Sequence, residues 1–231
     1  MLGEPFPEEA GHSWVAPVTR ADGMPAVLKV AFVHMEARDE FAGLRFWDGD
    51  PTVRLLECDE ELNAMLLERC EPGTSLRDVS EPEQDVVIAG LLRRLWRRPP
   101  EPHPFRPLAE MIDHWLAEAA DTHAAAVLRE LARPADEDVL LATDLHAGNV
   151  LRAEREPWLV IDPKPFVGDP AYDATQHLLN CDRLDTEPLA TIDRFADLLD
   201  VDRDRVRRWT FARAATDMNR PNVARALASC V

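Results

Sequence analysis

Residues 140–174 read LLATDLHAGNVLRAEREPWLVIDPKPFVGDPAYDA, and polar residues punctuate apolar runs in it that otherwise have the look of buried strands. Asp144 closes the run DVLLAT, while Asn149 and Asp162 stand at the outer ends of NVLRA and WLVID. Polar groups in such places cost several kcal/mol unless something satisfies them. A hairpin centred between Arg155 and Glu156, in the turn EREP, sets residue 149 opposite residue 162. Cross-strand neighbours have Cβ atoms roughly 4.5 to 5.5 Å apart, so the Asn149 amide oxygen and the Asp162 carboxylate can share one hard cation. Magnesium carrying nucleotide phosphates fits such a half-built oxygen shell.

Four residues separate Asp144 from Asn149, the D-x-x-x-x-N spacing of a kinase catalytic loop, in which the first aspartate takes or orients the proton of an acceptor hydroxyl. The spacing alone is common by chance, and an aspartate ending a strand is often only a turn former. What gives it weight is the segment far upstream. SWVAPVT, a turn at Arg20-Ala21-Asp22-Gly23 and AVLKVAF read as a hairpin over residues 13–32. In its second strand Leu28, Val30 and Phe32 share one face, so Lys29 points to the other; by itself such a lysine reads as solvent-facing. HMEARDEFAGLRFW then fits a helix with Ala37, Phe41, Leu44 and Trp47 on one stripe, and Glu40 falls on that stripe. A carboxylate there needs a cationic partner or an edge position open to water, and Lys29 is the nearest cation in sequence.

The rest of the chain divides by character. VRLLEC and NAMLLERC add two short strands around a polar turn, followed by the break Glu71-Pro72-Gly73. From Glu81 the pattern turns helical: EPEQDVVIAGLLRRLWRR has proline near its start and arginines in its last turn. After the stiff segment PPEPHPFRP, helices are expected over about 107–121, 122–133, 171–183, 188–199 and 203–216. The 231 residues thus suit a small strand-rich part, residues 1–70, and a mainly helical part, residues 71–231, with a cleft between them.

Composition narrows the function. A net charge of −17 argues against a nucleic-acid binder and suits a cationic partner, though it serves solubility equally well. Nothing approaches the ~18 to 20 consecutive apolar residues of a membrane span, and the N-terminus lacks the regions of a signal peptide, so a cytoplasmic protein is expected. Cys58, Cys70, Cys181 and Cys230 show neither C-x-x-C pairing nor zinc-finger spacing and read as reduced core thiols.

DLHAGN and VIDPKPFVGDPAYD, with AVLKV upstream, resemble the aminoglycoside and hydroxyurea phosphotransferases, over about residues 11–214. The resemblance implies an α+β, two-lobed protein-kinase-like fold and an ATP- and Mg2+-dependent enzyme that phosphorylates a hydroxyl of a small, cationic or hydroxyl-bearing molecule, in the first place an aminoglycoside such as streptomycin. It implies that Lys29 binds the nucleotide phosphates and pairs with Glu40, that Asp144 is the catalytic base, and that Asn149 and Asp162 hold magnesium. Backbone groups of Glu68 and Cys70, between the lobes, would meet adenine, and Ser13 would approach phosphate. Asp169 and Asp173 would be structural. The chain departs from the pattern in three ways. Ala142 stands where kinase-like enzymes often carry a histidine two residues before the aspartate. EEAGHSW has one glycine where a phosphate-covering loop belongs, and the chain starts close to the first strand. A kinase of another hydroxyl metabolite (hydroxyurea, a sugar or choline) and a nucleotide-binding protein without catalysis are the alternatives. Asp113, Glu118, Asp182, Asp185 and Glu187 are candidate carboxylates for a cationic acceptor. No raised pKa is required of Asp144 if the transition state is loose.

Overall fold

An Asp-Gly turn folds β1 (Ser13–Thr19) back on β2 (Pro25–Ala31), with Gly23 at a φ of 85°, which a side chain resists. This computed structural model describes residues 1–7, 13–32, 34–117, 122–216 and 220–228. β4 (Ala64–Glu68) pairs with the other edge of β2, and β3 (Leu55–Asp59) with β4, giving an antiparallel sheet of order β1-β2-β4-β3. Residues 1–6 run along the outer edge of β1, where the Gly3 amide donates to Pro17 O at 2.8 Å and the Phe6 amide to Val15 O at 2.9 Å.

The alternation expected of β2 is present, but the inward face is the one that carries the lysine. Lys29 is 5% exposed, whereas Val30 and Phe32 are 36% and 68% exposed. The expectation of a solvent-facing lysine is therefore overturned, because carboxylates on two other segments meet Lys29 beneath the sheet. One of them rides on α1 (Glu40–Trp47), which follows a 3-10 turn at Glu36–Asp39. Phe41 and Leu44 of α1 pack with Val53, Met65, Leu67 and Leu159. At Gly43 a Cβ would lie 2.9 Å from the Pro165 ring, so only glycine lets α1 come this close to the segment after Asp162.

Below the sheet lies a larger core formed by α2 (Glu81–Leu95), α3 (Leu108–Trp115), α4 (His123–Leu131), α5 (Pro170–Leu178), α6 (Arg183–Thr186), α7 (Pro188–Leu199), α8 (Arg203–Ala215) and α9 (Pro221–Leu227). Trp209, Tyr172, Phe195, Phe166 and Leu92 are among its fully buried side chains. The helix expected over 171–183 is two, broken after Leu178. That expected over 107–121 runs to Trp115, with residues 118–121, and so Glu118, outside the described residues. α9 lies beyond the helices expected from sequence, although Pro221 at its first turn marks a start.

Two small ladders link core and cleft: β5 (Val139–Leu141) with β8 (Phe166–Gly168), and β6 (Val150–Leu151) with β7 (Leu159–Val160). β8 was not anticipated. The second ladder corrects the hairpin register. Val150 pairs with Val160 and Leu151 with Leu159, so the centre is Arg155 and Asn149 stands opposite Ile161, whose amide donates to Asn149 O at 2.9 Å. Arg155 fixes the turn by donating to Gly49 O, Thr52 O and both Glu68 carboxylate oxygens. A slip of one residue would normally send Asp162 to the far face. Asp162 instead leaves the strand with a φ of 52°, in the left-handed region.

Candidate active site

Lys29, Glu40 and Asp162 form one cluster. The Lys29 ammonium donates to Glu40 Oε1 at 2.7 Å, to Glu40 Oε2 at 2.8 Å and to Asp162 Oδ1 at 2.5 Å, which uses all three of its hydrogens. The two ends of this cluster are 133 residues apart in sequence. Burial opposes every charge in it. Against that burial, Glu40 and Asp162 hold Lys29 above its ordinary pKa, and Lys29 with Lys164 holds Asp162 below its own. Glu40, 1% exposed, is pushed up by burial and by the Asp162 charge against the pull of Lys29.

Asp144 sits at the end of a loop pinned from below. Asp173 on α5, itself 0% exposed, accepts from the Ala142 amide at 3.0 Å, the Thr143 amide at 2.8 Å and the Trp96 indole at 3.0 Å. These bonds hold the backbone that enters Asp144 and allow Thr143 its φ of 43°. Asp169 caps α5 through the Ala171 amide and accepts from Arg205 and the Trp209 indole. Both aspartates thus have structural bonds, as expected of them. Ala142 is fully buried, with its amide and carbonyl both used, so the loop is anchored through its backbone without a histidine there.

The Asp144 carboxylate is held by Gln176 on α5, whose Nε2 donates to Oδ1 at 2.8 Å; Arg213 on α8 donates to Gln176 Oε1 at 2.8 Å. Burial pushes Asp144 up to about 6, with the Lys164 ammonium as the strongest opposing influence, so an ordinary carboxylate is not what the fold provides. It is still ionised at pH 7 to 8. His146 Nδ1 accepts from the Gly148 amide at 3.0 Å, and burial followed by the Arg77 charge lowers its pKa to about 4, so the imidazole beside Asp144 is neutral.

Asn149 lies in a 3-10 turn, Ala147–Asn149, and its Nδ2 donates to Asp144 O at 2.9 Å. That leaves its amide oxygen without a partner among the described residues. Asp162 uses Oδ1 for two lysines, and Oδ2 is left over in the same way. Two uncommitted hard oxygens on neighbouring segments are a donor set that suits magnesium, which keeps waters and phosphate oxygens for its other positions.

A cavity of about 450 Å³ opens beside Asp144, with Glu36, Trp115, Tyr172, Gln176 and Arg213 on its walls. Glu36 accepts from the Trp115 indole at 2.9 Å. The carboxylates nominated from sequence take no part in it: Asp113, Asp182, Asp185 and Glu187 are exposed, and Asp185 pairs with Arg220. Gln176 and Glu36 could not be picked out of ordinary helix sequence. Lys164 could have been, since it interrupts the run WLVIDPKPF just as Asp162 does.

The remaining nominations lie elsewhere around the cleft. The Glu68 side chain belongs to Arg155 and the Arg54 amide, and the Glu68 amide donates to Arg54 O, so neither is left for a ligand. The Cys70 amide has no partner among the described residues. Ser13 opens β1 opposite Ala31, while Gly11 and most of EEAGHSW fall outside the described residues. Cys58 and Cys70 are half-buried free thiols, not core ones; Cys181 is buried, and Cys230 lies outside the described residues.

A small antiparallel sheet lowering a buried lysine onto a glutamate and onto an aspartate of the helical part, next to an aspartate at the mouth of a cavity, defines a phosphotransferase of protein-kinase-like fold. The crystal structure of a choline kinase from Streptococcus pneumoniae matches this fold with a TM-score of 0.62 over 99% of this chain and 94% of that one, at 14% identity. Within that class, the chain belongs to the aminoglycoside/hydroxyurea antibiotic resistance kinase family, whose model matches residues 4–221. It is 39% identical over 224 residues to the streptomycin 6-kinase of Streptomyces griseus, spanning 87% of this chain and 72% of the relative. It is also 40% identical over 216 residues to the hydroxyurea phosphotransferase of Kitasatospora aureofaciens, spanning 86% of this chain and 63% of that one.

Proposed function

We propose that the protein transfers the γ-phosphoryl group of ATP to a hydroxyl of an aminoglycoside, with streptomycin the first candidate. The observation that carries this reading is the bonding of one ammonium, Lys29, to both Glu40 and Asp162, with Asp144 next to them at the cavity mouth. In the reaction, the acceptor oxygen bonds to the γ-phosphorus, the bond from that phosphorus to the β,γ-bridging oxygen breaks, and ADP leaves. The acceptor proton passes to Asp144, whose Oδ1 is fixed by Gln176. Lys29, kept in orientation by Glu40, turns the N–H it now gives Asp162 to nucleotide phosphate when ATP binds. Asn149 and Asp162 hold magnesium, which neutralises phosphate charge when bound. The carbonyl of Glu68 and the amide of Cys70 face adenine, and Ser13 lies at the phosphate end. Residues 1–70 serve as the nucleotide-binding lobe and residues 71–231 as the lobe for catalysis and the acceptor.

The cavity bears on the choice of acceptor. A space of about 450 Å³ lined by two carboxylates, Glu36 and Asp144, against one guanidinium, Arg213, and by the rings of Trp115 and Tyr172 suits a molecule of drug size and cationic character. Hydroxyurea, with a handful of heavy atoms, would leave most of it to water, although the 40% identity to a hydroxyurea phosphotransferase keeps that acceptor as the second reading. The test is mass spectrometry of streptomycin, other hydroxyl-bearing antibiotics and hydroxyurea after incubation with ATP and magnesium. Gain of one phosphate by streptomycin supports the first reading, and gain by hydroxyurea alone supports the second. Absence of any product across the panel, with nucleotide still bound, points to a binding protein without catalysis.

A further inference from the structure

Two lysines share one carboxylate oxygen in this site, and they are not equivalent. Lys29 spends its three hydrogens on Glu40 and Asp162. Lys164 donates to Asp162 Oδ1 at 2.8 Å and has no other acceptor among the described residues, so two N–H donors of a residue only 8% exposed are uncommitted. Its backbone is tied to the approach to Asp144: the Lys164 amide donates to Ala142 O at 2.9 Å, and Thr143 Oγ1 donates to Lys164 O at 2.6 Å. The two residues before Asp144 therefore fix the Lys164 backbone, while Asp162 holds its ammonium. The same lysine is the strongest attraction acting on the Asp144 carboxylate. The Lys164 charge thus bears on Asp144 as well as on Asp162 and Glu40.

We infer that Lys164 binds the γ-phosphate and follows it as it moves toward the acceptor, a role that rests on the phosphotransferase reading above. Among the described residues, the other cations near Asp144 are differently placed: the Arg77 guanidinium lies against Gly148, as a neighbour of His146. The loop DLHAGN carries His146, which donates no charge because its Nδ1 is an acceptor for the Gly148 amide, and Arg213 is engaged with Thr175 and Gln176. The strand–turn segment that supplies Asp162 therefore also supplies, two residues later, the point charge that neutralises the transferring group.

The test compares nucleotides that differ only in the last phosphate. Isothermal titration calorimetry of the full chain with ADP and with the non-hydrolysable analogue AMP-PNP, both with magnesium, is run on wild type, Lys164→Gln and Lys164→Arg, with thermal melting to confirm folding. Lys164→Gln is expected to weaken AMP-PNP by about tenfold or more and ADP by less than about twofold, and Lys164→Arg to recover most of the difference. Equal losses for both nucleotides would make Lys164 a mere support for Asp162 and overturn the inference, as would no loss for either. If Lys164→Gln does not fold, Lys164→Met is titrated in its place: a loss confined to AMP-PNP supports the inference, and equal losses for both nucleotides, or none, overturn it. Wild-type protein that binds neither nucleotide removes the phosphotransferase reading itself, an outcome distinct from these.

Discussion

Replacing Asp173 by asparagine separates what this buried side chain contributes as an acceptor from what its charge costs. The carboxylate accepts from the Ala142 and Thr143 amides and the Trp96 indole, with no exposure to water. An asparagine that keeps its oxygen toward Ala142 and Trp96 turns its NH2 on the Thr143 amide, leaving one donor unsatisfied at a cost of about 1 to 3 kcal/mol. Opposing this, burial lifts the Asp173 pKa from its ordinary 3.8 to about 6 despite those hydrogen bonds. A carboxylate with a raised folded-state pKa contributes most below its unfolded value and loses that contribution as pH rises through the folded one. Wild type therefore gives up about 2 to 3 kcal/mol between pH 4 and pH 8 at this residue, and the amide gives up none. Urea unfolding followed by tryptophan fluorescence is expected to show Asp173→Asn less stable than wild type at pH 4. The deficit should shrink by about 2 kcal/mol, or reverse, at pH 8. A difference between the two proteins that stays constant across this range would refute the reasoning.

Lys29→Met removes the cation from Glu40 and Asp162; a loss of about 3 kcal/mol in stability is expected, of the order found when a buried ion pair loses one member, with ATP binding lost in the same titration. Stability equal to wild type would mean that the cluster is not closed as described. Glu36→Gln keeps an acceptor for the Trp115 indole and removes a charge from the cavity wall, so KM for a cationic acceptor should rise roughly threefold to tenfold with kcat little changed. A KM that stays put in steady-state kinetics would take Glu36 out of acceptor binding. Gln176→Leu frees Asp144 Oδ1, and kcat should fall at least about tenfold with ATP KM unchanged, because orientation and not binding is lost. Wild-type kcat would show that Asp144 needs no such support.

The parts of this site that were legible in the sequence are those whose chemistry is local. Asp144, Asn149 and Asp162 stand out because polar residues interrupt apolar runs, and Glu40 because it sits on a packing stripe. The inward turn of Lys29 was not legible: period-two alternation gives two faces without saying which is buried, and Asp162, 133 residues away, decides it. Nor was the hairpin register, which Arg155 sets through bonds to Gly49, Thr52 and Glu68 on other segments. The cavity beside Asp144 draws on the turn before α1, on α3, α5 and α8, so no single stretch announces it. Glu36 and Gln176 look like ordinary helix residues until those elements meet.

Phosphoryl transfer here requires the side chains of Asn149 and Asp162 to serve one divalent ion beside Asp144. Electron paramagnetic resonance of Mn2+ bound with ADP measures this directly in wild type, Asn149→Ala and Asp162→Ala. One ADP-dependent ion per chain is expected for wild type, with binding weakened about tenfold or more by either substitution. Wild-type manganese binding in either variant would place the ion elsewhere and contradict the account.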